Sequence, residues 1–195
     1  MSSKDANTIR SIVIGSIRAK YTHRDLLLKI VDVITRGSKA YVNVVYHGSI
    51  QKAELAAYIA QVLISSMKER VRLRKFTYIV ILVSKTGSRR GSRFVVSLRV
   101  PKILYTVLYR LIESLRSMNI NIRKWSIKHI STPINKYKIS IQASIGVPEI
   151  DISSMLNNMR KHIGQLTIDG QLCVSLIIKA KLKTYEGTVC TNSIS

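Results

Sequence analysis

Chemistry needs reactive groups brought together, and this chain offers few of them. Its four histidines, His23, His47, His129 and His162, lie far apart and share no ligand spacing, so surface or capping roles account for each. Glu149 and Asp151, beside Pro148, are the close carboxylate pair. A helix N-terminus explains them, because acids favour the positive end of the helix dipole. Cys173 and Cys190 form no CxxC, so their spacing suggests neither a disulfide framework nor a zinc site, and it points to a reducing compartment. No phosphate-binding loop, nucleophile elbow, HExxH or dinucleotide fingerprint is present. The expectation is a protein that is not an enzyme and that uses no cofactor, no metal and no small-molecule substrate.

What the sequence does supply is positive charge. Lys and Arg total 32 against 10 Asp and Glu, a formal net charge of +22 in 195 residues. Such an excess repels itself across a folded surface, and a polyanionic partner removes that cost. Each phosphate contact also releases condensed counterions, which makes binding tight and salt-sensitive. Nucleic acid is the first partner to expect, and an anionic membrane surface the second. The charge is uneven: from Arg70 to Pro148 there are 17 Lys and Arg and one acid, Glu113. Lys68, Arg70, Arg72, Arg74 and Lys75 form one cluster. Arg89, Arg90 and Arg93 form another, in a Gly/Ser-rich loop whose backbone can fit closely to phosphates while arginine donates bidentate hydrogen bonds. Tyr105, Tyr109, Trp125 and Tyr137 are interleaved with basic residues and could stack on unpaired bases, but packing is the better account of tyrosines at these spacings.

The elements that must position these groups alternate between two periodicities. Composition is 46% hydrophobic, enough for a real core. Ser11 to Ile17 reads as a β-rich run, Arg24 to Thr35 as a helix stopped by Gly37, and Ala40 to His47 as a strand. Lys52 to Met67 is a helix with an apolar stripe of Leu55, Ile59, Val62 and Leu63. Arg93 to Val100 is a strand, and Pro101 opens a helix to Met118. Ile120 to Ile130 and Lys136 to Ile145 form a hairpin through Thr132-Pro133. Ile152 to Ile163 is a helix and Gln171 to Ala180 a last strand. For Glu69 to Ser84 the β-branched residues favour a strand, with Lys85 to Gly91 turning into the next one. No internal repeat is evident. The longest apolar stretch, Ile79 to Val83, is far too short to span a bilayer. The basic, acid-free segment from Thr8 to Arg24 could serve as a mitochondrial presequence, though a folded strand and helix entering the domain is preferred. The sum is an α+β protein with helices on one face of largely antiparallel sheets.

Read in order, these motifs resemble the C-terminal part of small-subunit ribosomal protein three, the universal KH-domain family. Ile12-Val13-Ile14-Gly15, the following helix and the Val42 to Val45 strand match its KH core. Arg70, Val71, Arg74 and Lys75 match its Arg-Arg-Val-x-Phe-Arg-Arg stretch, and Ser97-Leu98-Arg99-Val100 its Ser-Gly-Arg-Leu strand end. Glu69 replaces one Arg, the second Gly of the KH loop is absent after Gly15, and Pro101 to Arg110 replaces another family segment. A diverged organellar form accounts for these departures. The resemblance implies a KH-like domain over 10–85 and a second α+β domain with an antiparallel sheet over 86–183. Residues 1–9 and 184–195 would be flexible. It also implies that Glu69 to Ser84 is a helix, and on the strength of the resemblance a helix is the expectation. Arg70, Arg74 and Lys75 would lie near the path by which mRNA enters the small-subunit head, while Arg89, Arg90, Arg93 and Arg99 would contact rRNA backbone. Neighbouring ribosomal proteins would be further partners, and a mitochondrial ribosome the location.

Two other classes compete. A matrix-type structural protein of an RNA virus, found in the virion or host cytoplasm, would also be small, basic and α+β. It would bridge a nucleocapsid to an anionic membrane through an exposed apolar loop or a basic amphipathic helix. A nuclease would need a carboxylate cluster for metal, which the basic region with its single acid does not provide.

Overall fold

The computed structural model describes residues 3–22, 25–66, 75–130 and 133–191. Its elements are α1 (Ser3–Lys20), β1 (Leu26–Arg36), β2 (Lys39–Gly48), α2 (Lys52–Ser66), β3 (Tyr78–Lys85), β4 (Ser92–Ser97), α3 (Lys102–Ser117), β5 (Asn121–Ile130), β6 (Lys136–Ser144), α4 (Ile152–Ile163), β7 (Gln171–Lys179) and β8 (Thr184–Cys190). The fold is α+β, as expected. Two compact units divide at Thr106/Val107, not at 85/86, because β3 and β4 complete the first sheet.

Each unit repeats one topology. The sheets run β1-β2-β3-β4 and β5-β6-β7-β8, with antiparallel outer pairs and a parallel central pair. A parallel neighbour requires a crossover, and α2 and α4 lie in those two connections. Both first hairpins also slip register at the matching place, between Leu28 and Ile30 and between Ile122 and Lys124. The chain therefore does contain an internal repeat, preserved as alternation and bulge position and not as residue identity.

Alternation places the core. Ala40, Val42, Val44 and Tyr46 of β2 are buried with Ile79, Ile81 and Val83 of β3; Tyr137, Ile139 and Ile141 of β6 are buried with Leu172, Val174, Leu176 and Ile178 of β7. In α1, Ile9, Val13 and Ile17 recur at helical spacing and are buried, the stripe that packs the helix.

Several expectations fail here. Ser11 to Ile17 is not a strand but the second half of α1, whose stripe skips between the adjacent isoleucines that suggested β structure. The expected Arg24 to Thr35 helix, whose Arg24 lies outside the described residues, is strand β1 from Leu26 onward. Its apolar residues occupy both faces, Leu26 and Val33 buried and Ile30 and Ile34 exposed, which mimics helical spacing. Gly37, at φ 56°, turns the two-residue loop of the β1–β2 hairpin and does not stop a helix. The KH-like order strand, helix, strand over residues 11–47 is thus replaced by helix, strand, strand. Of Glu69 to Ser84, the part from Tyr78 onward is strand β3, as its β-branched residues favoured and against the helix the resemblance implied; 69–74 lie outside the described residues. The ends are built as well: residues 3–9 open α1 and Thr184–Cys190 is β8.

Gly170 enters β7 at φ 119°, where an added Cβ would lie 2.1 Å from the Asn135 carbonyl oxygen that accepts Gln171 N–H at 2.9 Å. Both the backbone conformation and the space demand glycine. Gly170→Ala is expected to cost about 2–3 kcal/mol, read as a lower urea midpoint with unchanged slope.

Candidate nucleic-acid interface

Each sheet has a second face, opposite its core, and the registers define it row by row. On the second sheet one row is Lys124, Gln142, Ile177 and Glu186; the next is Ser126, Ser140, Ser175 and Thr188; the third is Lys128, Lys138, Cys173 and Cys190. Lys136 stands at the end of β6, and Lys179 at the far end of β7. All five lysines are exposed. The middle row is a hydroxyl from every strand, with Ser175 Oγ and Thr188 Oγ1 2.9 Å apart.

Electrostatics is what marks this face. Lys128 and Lys138 are direct cross-strand partners, and like charges opposite one another destabilise a sheet. Glu186, the acid of the face among the described residues, is on β8, three strands from β5 or roughly 14 Å away. Lys128 and Lys138 also stand two rows further along the sheet than Glu186, so it pairs with neither of them. At one end of the sheet a groove of about 500 Å³ is lined by Arg123, Lys179 and Lys181 among asparagines and Ser144, and Arg123 Nε donates to Ser144 Oγ at 3.0 Å. Cations and hydroxyls on a flat, open surface are suited to phosphate and ribose oxygens. Sequence reasoning missed this face, although the signal was there: Lys124, Lys128, Lys136 and Lys138 all occupy polar positions of alternating strands.

Of the residues singled out from the sequence, Arg89 and Arg90 lie in the β3–β4 connection, Arg93 on β4 and Arg99 just beyond it, all exposed. The connection is held from α2, where Lys52 Nζ donates to Ser88 Oγ at 3.1 Å and to the Arg90 carbonyl at 2.9 Å. The two arginines therefore extend from a fixed backbone. Lys75 is half-exposed and forms an ion pair with the buried Asp5 of α1, so it serves to tie that helix down. Lys68, Arg70, Arg72 and Arg74 lie outside the described residues.

Tyr105, Tyr109, Trp125 and Tyr137 are all buried, so packing is their role. Burial pushes the Tyr105 hydroxyl above the usual tyrosine range, and it accepts the Ser97 N–H at 2.9 Å. Burial does the same at Tyr46, with Glu54 adding to it, and that hydroxyl donates to the Ile50 carbonyl at 2.6 Å. The two cysteines, expected to be unmatched, are joined: Cys173 and Cys190 are register partners bridged by a disulfide. Strand pairing, invisible in their spacing, brings them together, and the inference of a reducing compartment loses its premise. Among the described residues no group of His, Cys, Asp and Glu is placed to hold a metal ion, and no helix is long and apolar enough to cross a membrane.

No family model matches the chain, and no curated protein does. Among solved structures it is similar to the crystal structure of the sex pheromone staph-cAM373 precursor, at 11% identity over 92% of this chain and 90% of that one. The TM-score is 0.24, too low to carry any inference.

Proposed function

We propose that this is a non-enzymatic RNA-binding protein, a structural constituent of a ribonucleoprotein particle. The observation that carries the reading is the open face of the second sheet, where Lys128 and Lys138 stand directly opposed. A fold keeps such a pair at a cost to itself when a polyanion occupies the face. The Lys52-braced arginine connection of the first unit adds a second set of phosphate donors. The finer form of the proposal is the small ribosomal subunit of an organelle, near the mRNA path. The charge distribution and the Arg99-containing segment support it, whereas Ile12 to Gly15, being helical, does not.

Sedimentation of the native protein from gently lysed cells tests both levels. Co-migration with a small ribosomal subunit, lost on ribonuclease treatment, is the expected result. Migration with another ribonuclease-sensitive particle would keep the RNA reading and discard the ribosome. Migration with membranes, unaffected by ribonuclease, would favour the matrix-type alternative. One observation fits that alternative: Leu182, 78% exposed, stands between Lys181 and Lys183 in the β7–β8 turn. A single leucine buries little on insertion, and α3, the amphipathic candidate, is buried through Leu104, Leu108, Leu111 and Leu115.

A further inference from the structure

The face of the first sheet opposite its core corresponds row for row to the lysine face of the second, yet its chemistry is different. Where the second unit has Lys128, Lys138, Cys173 and Cys190, counting from the matched bulges, the first has Ile34, Tyr41, Val80 and Val95, one apolar row across all four strands. Ile34 and Val95, on the two edge strands, are 48% and 46% exposed, Tyr41 is half-buried and Val80 is covered at 4%, so the row is open at its edges and through the Tyr41 ring. On one side the flanking row begins Arg36, Lys39 and Tyr78; on the other it ends at Arg93 of β4. Tyr41 and Tyr78 are diagonal neighbours on the two central strands, and Tyr78 is 37% exposed. The acid of this face among the described residues is Asp32, already paired with Arg10 Nη2 at 2.9 Å.

We propose that this face is a stacking platform for unpaired bases of single-stranded RNA. The inference rests on the RNA-binding reading and names its substrate class. An apolar, aromatic row flanked on both sides by cations matches a strand of nucleic acid, whose bases are flat and apolar and whose backbone is anionic. Successive rows lie about 7 Å apart, within reach of consecutive nucleotides of an extended strand. A duplex hides its base faces and gains nothing from Tyr41 or Tyr78. A protein partner would leave Arg36, Lys39 and Arg93 to be matched by acids of its own. Sequence periodicity conceals the platform, because Ile30 and Ile34 fall at helical spacing with Leu27 and Val31.

The test is fluorescence anisotropy with an oligouridine of about ten nucleotides and an RNA duplex of similar charge, using the full chain. Tyr41→Ala is expected to weaken oligouridine binding about ten-fold, and Tyr78→Ala similarly, with duplex binding unchanged. Tyr41→Phe, which keeps the ring, should bind as the native protein does. If both alanine variants bind oligouridine normally while Lys128→Glu/Lys138→Glu does not, the platform is overturned and the RNA reading stands. If the native protein binds neither probe, the RNA reading fails and the platform falls with it. Self-association of the native chain that Tyr41→Ala abolishes, with oligouridine affinity untouched, would assign the face to a second copy and overturn the proposal.

Discussion

Lys138→Glu should bind RNA about ten-fold more weakly than the native protein and yet unfold less readily, by about 0.5 kcal/mol. The two effects have one cause. Lys138 faces Lys128 across the β5–β6 ladder, and the glutamate would turn a repelling cross-strand pair into an attracting one. The same change removes one phosphate contact and sets a negative charge beside the remaining ones. Lys128→Glu/Lys138→Glu restores like charge, so its stability should return to near the native value while affinity falls about a hundred-fold. The slope of log affinity against log salt should drop by about 0.7 per lost contact on single-stranded RNA. Urea denaturation and anisotropy titrations over a salt series read the two quantities separately. A Lys138→Glu protein that is both more stable and unimpaired in RNA binding would remove this face from the interface and leave the arginine connection as the remaining candidate.

The basic face is hard to read in the sequence for a physical reason. Linear charge density is highest at Lys68 through Lys75 and at Arg89 through Arg93, where basic residues are clustered along the chain. A sheet gathers its charge differently, one residue from every second position and every neighbouring strand. Lys128 and Lys138 are distant in sequence and adjacent in space. The helices from Lys52, Pro101 and Ile152 and the antiparallel β5–β6 pair are legible because one face of each is consistently apolar. The start of the chain was not. Ile9, Val13 and Ile17 mark α1, but Ile12 and Ile14 fill the gaps between them and imitate a strand. In β1 the outward Ile30 and Ile34 blur the alternation that would have identified it. Both errors placed residues 11–47 in a KH-like order, and the resemblance to a ribosomal family drew on that order. The duplicated topology was hidden for a related reason. Its two halves share buried alternation and a bulge, while their opposite faces differ, one largely apolar and the other basic.

Reducing the Cys173–Cys190 bridge should lower the unfolding free energy by about 3 kcal/mol, from loop closure alone. The bridge spans a sequence separation of 17 and ties β8, an edge strand, to β7. Beyond its ladder to β7, β8 is held by α4, where Leu156 packs against the space left by Gly187. The urea midpoint of the native protein should therefore fall by about 1.5 M on adding a reductant, for a slope near 2 kcal/mol/M. Cys173→Ser/Cys190→Ser should match the reduced protein and ignore the reductant. A native midpoint indifferent to reductant, with two thiols free to alkylate, would show that the bridge does not form and would restore the reducing compartment that the cysteine spacing suggested. RNA affinity offers the complementary readout. Lys124, Lys128, Lys136 and Lys138 lie on β5 and β6, away from the β8 edge. Reduction below the unfolding transition should leave binding to the basic face intact, so the bridge fixes the edge of the sheet while the lysines meet the phosphates.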